Sequence, residues 1–417
     1  MKQDANSTHK SKTAAASPSG ALAGLKILDL SRILAGPTCT QLLGDMGADV
    51  IKIERPGAGD DTRKWGPPYV EGVDGSPTQE SAYYLSSNRN KRSVAVDISS
   101  AEGAAQIREL VAHADVLVEN FKQGGLAKYG LSYDDLKDEF PALVYCSITG
   151  FGQTGPNAHR AGYDLLAQGF GGIMALTGEP EGEPMKVGVG ISDVMTGMYA
   201  ATAILAALRH RDATGDGQHI DLALVDTQLS WMVNEGVNYL LSGEEPIRRG
   251  NQHPNIVPYQ VFEVADGHVI IAVGNDQQFE RFCGLIGASE LAENPDYSTN
   301  PQRLVNRETL LPQLAEILKS HKKEELLSGM EGLGIPGGPI NNLSEAFSSP
   351  QAKARDMVVS MPYPQAKAGE VKLIGNPIKF SKTPITYNRP PPTCGEHTNE
   401  VLDEWLGAHN TTKRVED

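Results

Sequence analysis

The chain has 417 residues, 40% of them hydrophobic and 21% charged, a globular composition with room for two or more packed units at roughly 100–200 residues each. Acids outnumber bases 52 to 37, for a formal net charge of -15. That argues against general nucleic-acid binding, which rests on basic contacts to phosphate, although a local basic pocket can still hold one polyanionic small molecule. No window reaches the roughly 18 uninterrupted apolar residues of a membrane span, and Cys39, Cys146, Cys283 and Cys394 form no CxxC pair, so neither membrane, metal nor disulfide framework is expected.

The first twenty residues, MKQDANSTHKSKTAAASPSG, are polar and rich in Ala and Ser. They lack an apolar signal core and read as a disordered tail. A cytoplasmic location is expected, or the mitochondrial matrix if the source is eukaryotic. Regular patterning starts at LKILDLS, followed by a helix from Pro37 and then VIKIER. SVAVDIS, the helical AAQIRELVAHA, DVLVENF, a helical stretch around YDDLKDEF, and LVYCSITGFG continue the alternation. Strand-like runs alternating with helices predict a parallel, doubly wound α/β unit over the first 155 residues. Ligands in such sheets sit beyond the carboxyl ends of the strands. That rule selects Ser31–Ala35, Arg55, Asp97–Ser99, Asn120–Lys122 and Thr149–Gly152. No GxGxxG follows the first strand and no GxxxxGK[ST] occurs, so a standard dinucleotide or P-loop site is not supported.

Next comes LTGEPEGEP, with Glu179, Glu181 and Glu183 at alternate positions on a Gly/Pro segment. Such a loop is either a solvated stretch, where acids are tolerated, or a device that presents a carboxylate to a substrate. A helix is predicted from Ser192 or Asp193, either of which can cap it, through MTGMYAATAILAALRHR to about Arg211. It is too apolar for a surface helix. HIDLALVD reads as a strand, SWMVNEGVNYLL as a helix, and VPYQVFEV-ADG-HVIIAVG as a hairpin. Helices including LLPQLAEILK and KEELLSGM follow, then Pro-rich extended chain and a final helix. The middle therefore reads as a smaller α+β domain.

Long segments in this order resemble family III CoA-transferases (the CaiB/BaiF type) and their relatives, the α-methylacyl-CoA racemases. They are LDLSRILAGPTCTQLLGDMGADVIKIERPGAGDDTRKWGPP, NRNKRSVAVDI, DVLVENFKQGGLAKYGL, ITGFGQTGP, RAGYDLLAQG, SDVMTGMYA, GIPGGPINN, NPIKFSKTP and GEHTNEVL. The resemblance covers the chain from about residue 21 to its end. It implies an interlocked homodimer with a Rossmann-like large domain made of residues 21–210 and 345–417, and a small domain with linkers over 211–344. It implies CoA contacts at Leu34 and Ala35 in the first loop, at Arg55 as a phosphate-binding arginine, and at Val96, Asp97, Ile98, Ser99, Asn120, Phe121 and Lys122 on the adenosine side. Lys128 stands where the family often has arginine. Thr149, beside Gly150, Phe151 and Gly152, stands where some members have lysine. No tightly bound cofactor is implied; the CoA thioester is a substrate.

The family's nucleophile is a carboxylate in a TG-x-x-D-G loop. TGEPEG places Glu181 there, a glutamate for an aspartate, and the added methylene moves the carboxylate by about 1.5 Å, one bond length. Glu179 or Glu183 replaces it if the loop is shifted. Within the family, NIVPYQVFEVADG and AVGNDQQF look most like the glutarate transferases, implying succinyl-CoA as donor and a dicarboxylate acceptor. Arg89, Lys91 and Arg92, or Arg248 and Arg249, are candidates for the distal carboxylate, and each also reads as surface charge. Arg248–Gln260 reads as a lid or as a connector. The alternative is a racemase-like isomerase, whose relatives carry histidine in AGHD where this chain has Tyr163. A phenol, with an ordinary pKa near 10, is a poor base at neutral pH. In that setting Asp193 reads as a helix cap.

Overall fold

The computed structural model describes residues 20–410, so the tail expected over residues 1–20 lies outside the described part except for Gly20. The chain forms two compact units. The first comprises residues up to Ala167, Gly190–Thr227 and residues from Met357 onward; the second comprises Gln168–Val189 and Gln228–Asp356.

The first unit is built on six strands: β1 Lys26–Asp29, β2 Asp49–Glu54, β3 Lys91–Ala95, β4 Val116–Glu119, β5 Val144–Thr149 and β6 His219–Ala223. Every neighbouring pair is parallel, in the order β3-β2-β1-β4-β5-β6. Ile27, Val50, Val116, Val118, Cys146 and Ile148 pack on one face, and Leu28, Ile51, Val94, Leu117 and Tyr145 on the other. Apolar residues on both faces are what a parallel sheet between helix layers requires. The order reverses between β1 and β4, which opens a crevice at their carboxyl ends.

Four helices matter for that crevice: α1 Ala35–Asp45, α2 Ala101–Val111, α3 Ile191–Thr214 and α4 Thr398–Asn410. By length and composition alone α3 could cross a membrane, but it packs against α1 in the core. Gly197 allows this approach, since a Cβ there would lie 2.6 Å from the Ala35 carbonyl oxygen. The predicted cap is corrected. Neither Ser192 nor Asp193 precedes the helix. Instead Asp164 Oδ1 accepts the Ser192 N–H at 2.8 Å and the Asp193 N–H at 3.3 Å, so a carboxylate from an earlier segment satisfies amides that the first turn leaves open. The outer edge of β3 is covered by the chain entering α4. His397 N–H donates to Ser93 O, and Ala95 N–H to Thr398 Oγ1, which removes an exposed edge.

In the second unit, β7 Tyr259–Val264 and β8 Gly267–Ala272 form the predicted antiparallel hairpin, and β9 Gly337–Pro339 adds to the other side of β8. Phe262, Val269, Phe279, Phe282, Leu310 and Leu314 lie in the core it shares with its helices.

Beneath the crevice runs a layer of buried, paired charges. Lys52 Nζ reaches Asp60 at 2.8 Å and Ser31 O at 2.9 Å. Lys91 Nζ reaches Asp29, Asn88 and Pro37 O. Arg63 grips Glu54 through Nε and Nη2 at 2.8 and 2.6 Å. Each cation has an acidic partner, which is the condition for tolerating charge in the interior. Burial alone would raise the pKa of Asp60, but the Lys52 ammonium and hydrogen bonds from Thr62 outweigh it and bring the value to about 2. The unfolded chain therefore takes up this proton first. The stabilisation is complete above about pH 4, the ordinary aspartate value, and is lost as pH falls towards 2. Urea unfolding across this range should show stability falling with pH. Asp60→Asn should remove that part of the slope and, at pH 7, destabilise by about 3–5 kcal/mol by leaving Lys52 buried without its counter-ion. An Asp60→Asn protein with the wild-type acid limb would contradict this.

Candidate active site

The loop between β1 and α1 is held at nearly every backbone position by side chains from other strands. Lys52 donates to Ser31 O. Asn120, just past β4, accepts the Arg32 N–H at 2.9 Å through Oδ1 and donates to Arg32 O at 2.6 Å through Nδ2. Asp60 Oδ1 accepts the Ile33 N–H at 3.3 Å. Between these clamps Ile33 has φ 72, a left-handed conformation that a β-branched residue adopts only when its surroundings impose it.

Two cavities, of about 350 and 570 Å³, open on this loop. They share Arg32, Asp61, Trp65, Phe121 and Tyr129, so they form one continuous cleft in the first unit. Arg55, Val96, Asp97, Ile98 and Ser99 line the smaller part; Ala35, Asn120, Lys122, Lys128, Thr149 and Gly150 line the larger; Phe121 lines both. Of the residues predicted here, Ser31, Leu34, Phe151 and Gly152 line neither. Leu34 packs toward Gly190, Phe151 carries the Arg160 guanidinium over its ring, and Gly152 supplies a φ of 85 that lets its N–H reach Thr149 Oγ1. The cleft is basic although the chain is acidic. Among the described residues Arg55, Lys64, Lys122 and Lys128 line it without a salt bridge, and Trp65, Phe121 and Tyr129 add aromatic faces. No three His, Cys, Asp or Glu side chains gather as metal ligands would among the described residues.

The acidic loop belongs to the second unit. Its neck is closed by the Met185 N–H donating to Thr177 O at 3.0 Å, and its tip by the Gly182 N–H donating to Glu179 O at 3.0 Å. The tip is therefore a β-turn over Glu179-Pro180-Glu181-Gly182. Proline second and glycine fourth are what a type I turn favours. Glu181 is the third residue, exposed, and its carboxylate takes no hydrogen bond or ion pair among the described residues. Arg248 holds the turn from behind, donating to Glu179 O at 3.2 Å and Gly182 O at 2.7 Å. The Gly250 N–H donates to Gly178 O, and Glu179 sits against Gly250. The 248–260 segment is thus a brace for this loop, itself tied by Arg307 to His253 O and Pro254 O.

The expected distal-carboxylate ligands need correction. Arg89 is buried against Asp45, at 2.9 Å and 2.6 Å, and Ile374 O. Lys91 is enclosed by Asp29 and its neighbours. Arg92 joins Asp49 to Glu400 and Glu404. All three are internal ties. Most of their carboxylate partners lie far along the chain, so their local sequence looked like surface charge. Arg248 is occupied by the turn carbonyls, and Arg249 donates to Ile247 O.

The structure also adds lining residues that the sequence reading did not select, notably Trp65, Tyr129, Arg160 and Asp193. Asp193 is buried, with 8% of its surface exposed. Burial, and then the neighbouring Asp164 carboxylate, push its pKa up to about 7. The available signal was a carboxylate inside the first turn of an otherwise apolar helix.

Residues 22–398 match the model of CoA-transferase family III. The chain is 49% identical over 384 residues to a succinate–glutarate CoA-transferase of Agrobacterium fabrum, covering 92% of this chain and 95% of that protein. It is 44% identical over 385 residues to the succinyl-CoA:glutarate CoA-transferase of Homo sapiens, covering 92% and 86%. The fold matches the crystal structure of a CAIB/BAIF family protein from Brucella suis with a TM-score of 0.82 and 48% identity, over 93% of this chain and all of that one. With strand order, cleft and acidic turn in place, the chain belongs to the family III CoA-transferases.

Proposed function

We propose that this enzyme moves CoA from succinyl-CoA to a dicarboxylate, glutarate or a C4–C6 relative, with Glu181 as the covalent carrier. The observation that carries the reading is the turn itself. Its geometry leaves one carboxylate at the apex, exposed and without an ion pair among the described residues, on a backbone fixed by Arg248. Glu179, against Gly250, is less available. The two relatives described above, both named for succinate or succinyl-CoA and glutarate, support the substrate pair.

The chemistry follows from a nucleophilic carboxylate. A Glu181 oxygen attacks the thioester carbonyl carbon, the C–S bond breaks, and CoA leaves as thiolate from a mixed anhydride. The thiolate attacks the glutamyl carbonyl and releases the donor acid as carboxylate. The acceptor carboxylate attacks the resulting glutamyl thioester, whose C–S bond breaks to give a second anhydride and CoA thiolate. The thiolate then attacks the acceptor acyl carbonyl of that anhydride and releases Glu181 as a free carboxylate. No net proton is consumed. Water is the competing nucleophile, so the intermediates require its exclusion.

The basic cleft of the first unit suits CoA. Arg55 offers a fork for phosphate, and Trp65, Phe121 and Tyr129 offer faces for a purine. An interlocked homodimer accounts for one further feature. The helix Val233–Ser242 buries none of its residues, although Val233, Val237, Leu240 and Leu241 form one apolar stripe. A stripe of this kind calls for a covering surface, which a second copy supplies.

Two outcomes test the proposal. Glu181→Ala should abolish transfer from succinyl-CoA to every dicarboxylate in an acceptor screen while CoA still binds; normal turnover in that variant reassigns the nucleophile. Arg55→Ala should weaken CoA binding, measured by calorimetry, by about tenfold to a hundredfold, the value of a charge-assisted hydrogen bond. Unchanged affinity would remove Arg55 from the phosphate site.

A further inference from the structure

Asp193 is more than nine-tenths buried and lines the larger part of the cleft. Its side chain has no hydrogen-bond or ion-pair partner among the described residues. A buried carboxyl in that state is costly unless something pairs with it. The usual explanation, a helix cap, is already taken by Asp164, whose Oδ1 holds the two amides. Burial, and then the carboxylate of Asp164 beside it, favour the protonated form of Asp193. The other titratable and charged groups on this site are Tyr83, which senses both aspartates, and, across the cavity, Tyr129, Tyr163, Arg32, Asp61, Lys122, Lys128 and Arg160. The cations suit phosphate oxygens. A protonated Asp193 carboxyl can donate, which suits a neutral acceptor oxygen instead. The wall next to it is made for close approach: Gly150 and Gly162 pack so tightly that a Cβ on either would lie within 2.4 Å of the other's Cα.

We propose that Asp193 donates a hydrogen bond to the carbonyl oxygen of the acyl thioester bound in this cleft. The donor strengthens its bond as that oxygen gains charge under attack, which makes it a contributor to catalysis as well as to acyl-CoA recognition. The inference rests on the CoA-transferase reading above and deepens it. Because the donor is lost on ionisation, kcat/KM for succinyl-CoA falls as pH rises through about 7.

The test compares wild type, Asp193→Ala and Asp193→Asn, with succinyl-CoA and free CoA as separate ligands. Asp193→Ala should lower kcat/KM for succinyl-CoA about a hundredfold and its affinity about tenfold, with free CoA, which has no acyl carbonyl, bound as in wild type. Asp193→Asn, which keeps a donor N–H, should recover to within about tenfold of wild type and lose the alkaline limb. Wild-type kinetics in Asp193→Ala would overturn the proposal. So would equal weakening of both ligands, which marks a structural role. An Asp193→Asn protein as inactive as Asp193→Ala at unchanged melting temperature would also overturn it, since the group would then be moving a proton. If wild type transfers CoA to no dicarboxylate, the functional reading fails, and the binding comparison still decides the role of Asp193.

Discussion

Much of the site hangs on a left-handed bend at Ile33. The bend is unfavourable for a β-branched residue, and three side chains from three different parts of the chain hold it: Lys52 on β2, Asp60 in the following loop and Asn120 after β4. Their own geometry is fixed in turn. Lys52 and Asp60 neutralise one another in the interior, and the Asp60 N–H is held by Glu54, which Arg63 grips. The carboxyl edge of a parallel sheet ordinarily gives a crevice of variable loops. Here the loop that floors the crevice is pinned by buried charge, so the cleft keeps its shape before any ligand arrives. Pre-formed geometry lowers the ordering penalty of binding.

The two chemical tasks are built by different means. Binding is assigned to a rigid, basic, aromatic-edged cleft within a chain whose net charge is -15, so the attraction for a polyanion is local. The nucleophile is assigned to a short turn in the second unit, where the carboxylate is exposed and a proline and a glycine fix the backbone. Among the described residues Arg248 donates to the backbone carbonyls of the turn. It steadies the turn without forming a salt bridge to the Glu181 carboxylate, which would dull it as a nucleophile.

How much of this was legible in the sequence depended on the range of each interaction. Alternating runs such as VIKIER and DVLVENF announced a parallel sheet because burial on both faces leaves a continuous apolar signature. The strand-end rule selected Arg55, Asp97–Ser99 and Asn120–Lys122 without knowledge of strand order, because in such sheets the ends converge on one edge. The turn was legible too, since Glu-Pro-Glu-Gly carries its geometry locally. Arg89 and Arg92 were misjudged because Asp45, Asp49, Glu400 and Glu404 meet them only in the folded chain. Asp193 was misjudged for the same reason: a carboxylate in a first turn looks like a cap until Asp164 is seen doing that work.

The claim at the centre of the account is that Glu181 becomes acylated during turnover. Wild-type enzyme should be incubated with succinyl-CoA, treated with hydroxylamine or borohydride, and digested for peptide mass spectrometry. The account predicts a hydroxamate or an alcohol at Glu181, with Glu179 and Glu183 unchanged. Carboxylates between residues 176 and 184 that all stay intact while CoA exchange proceeds would contradict it.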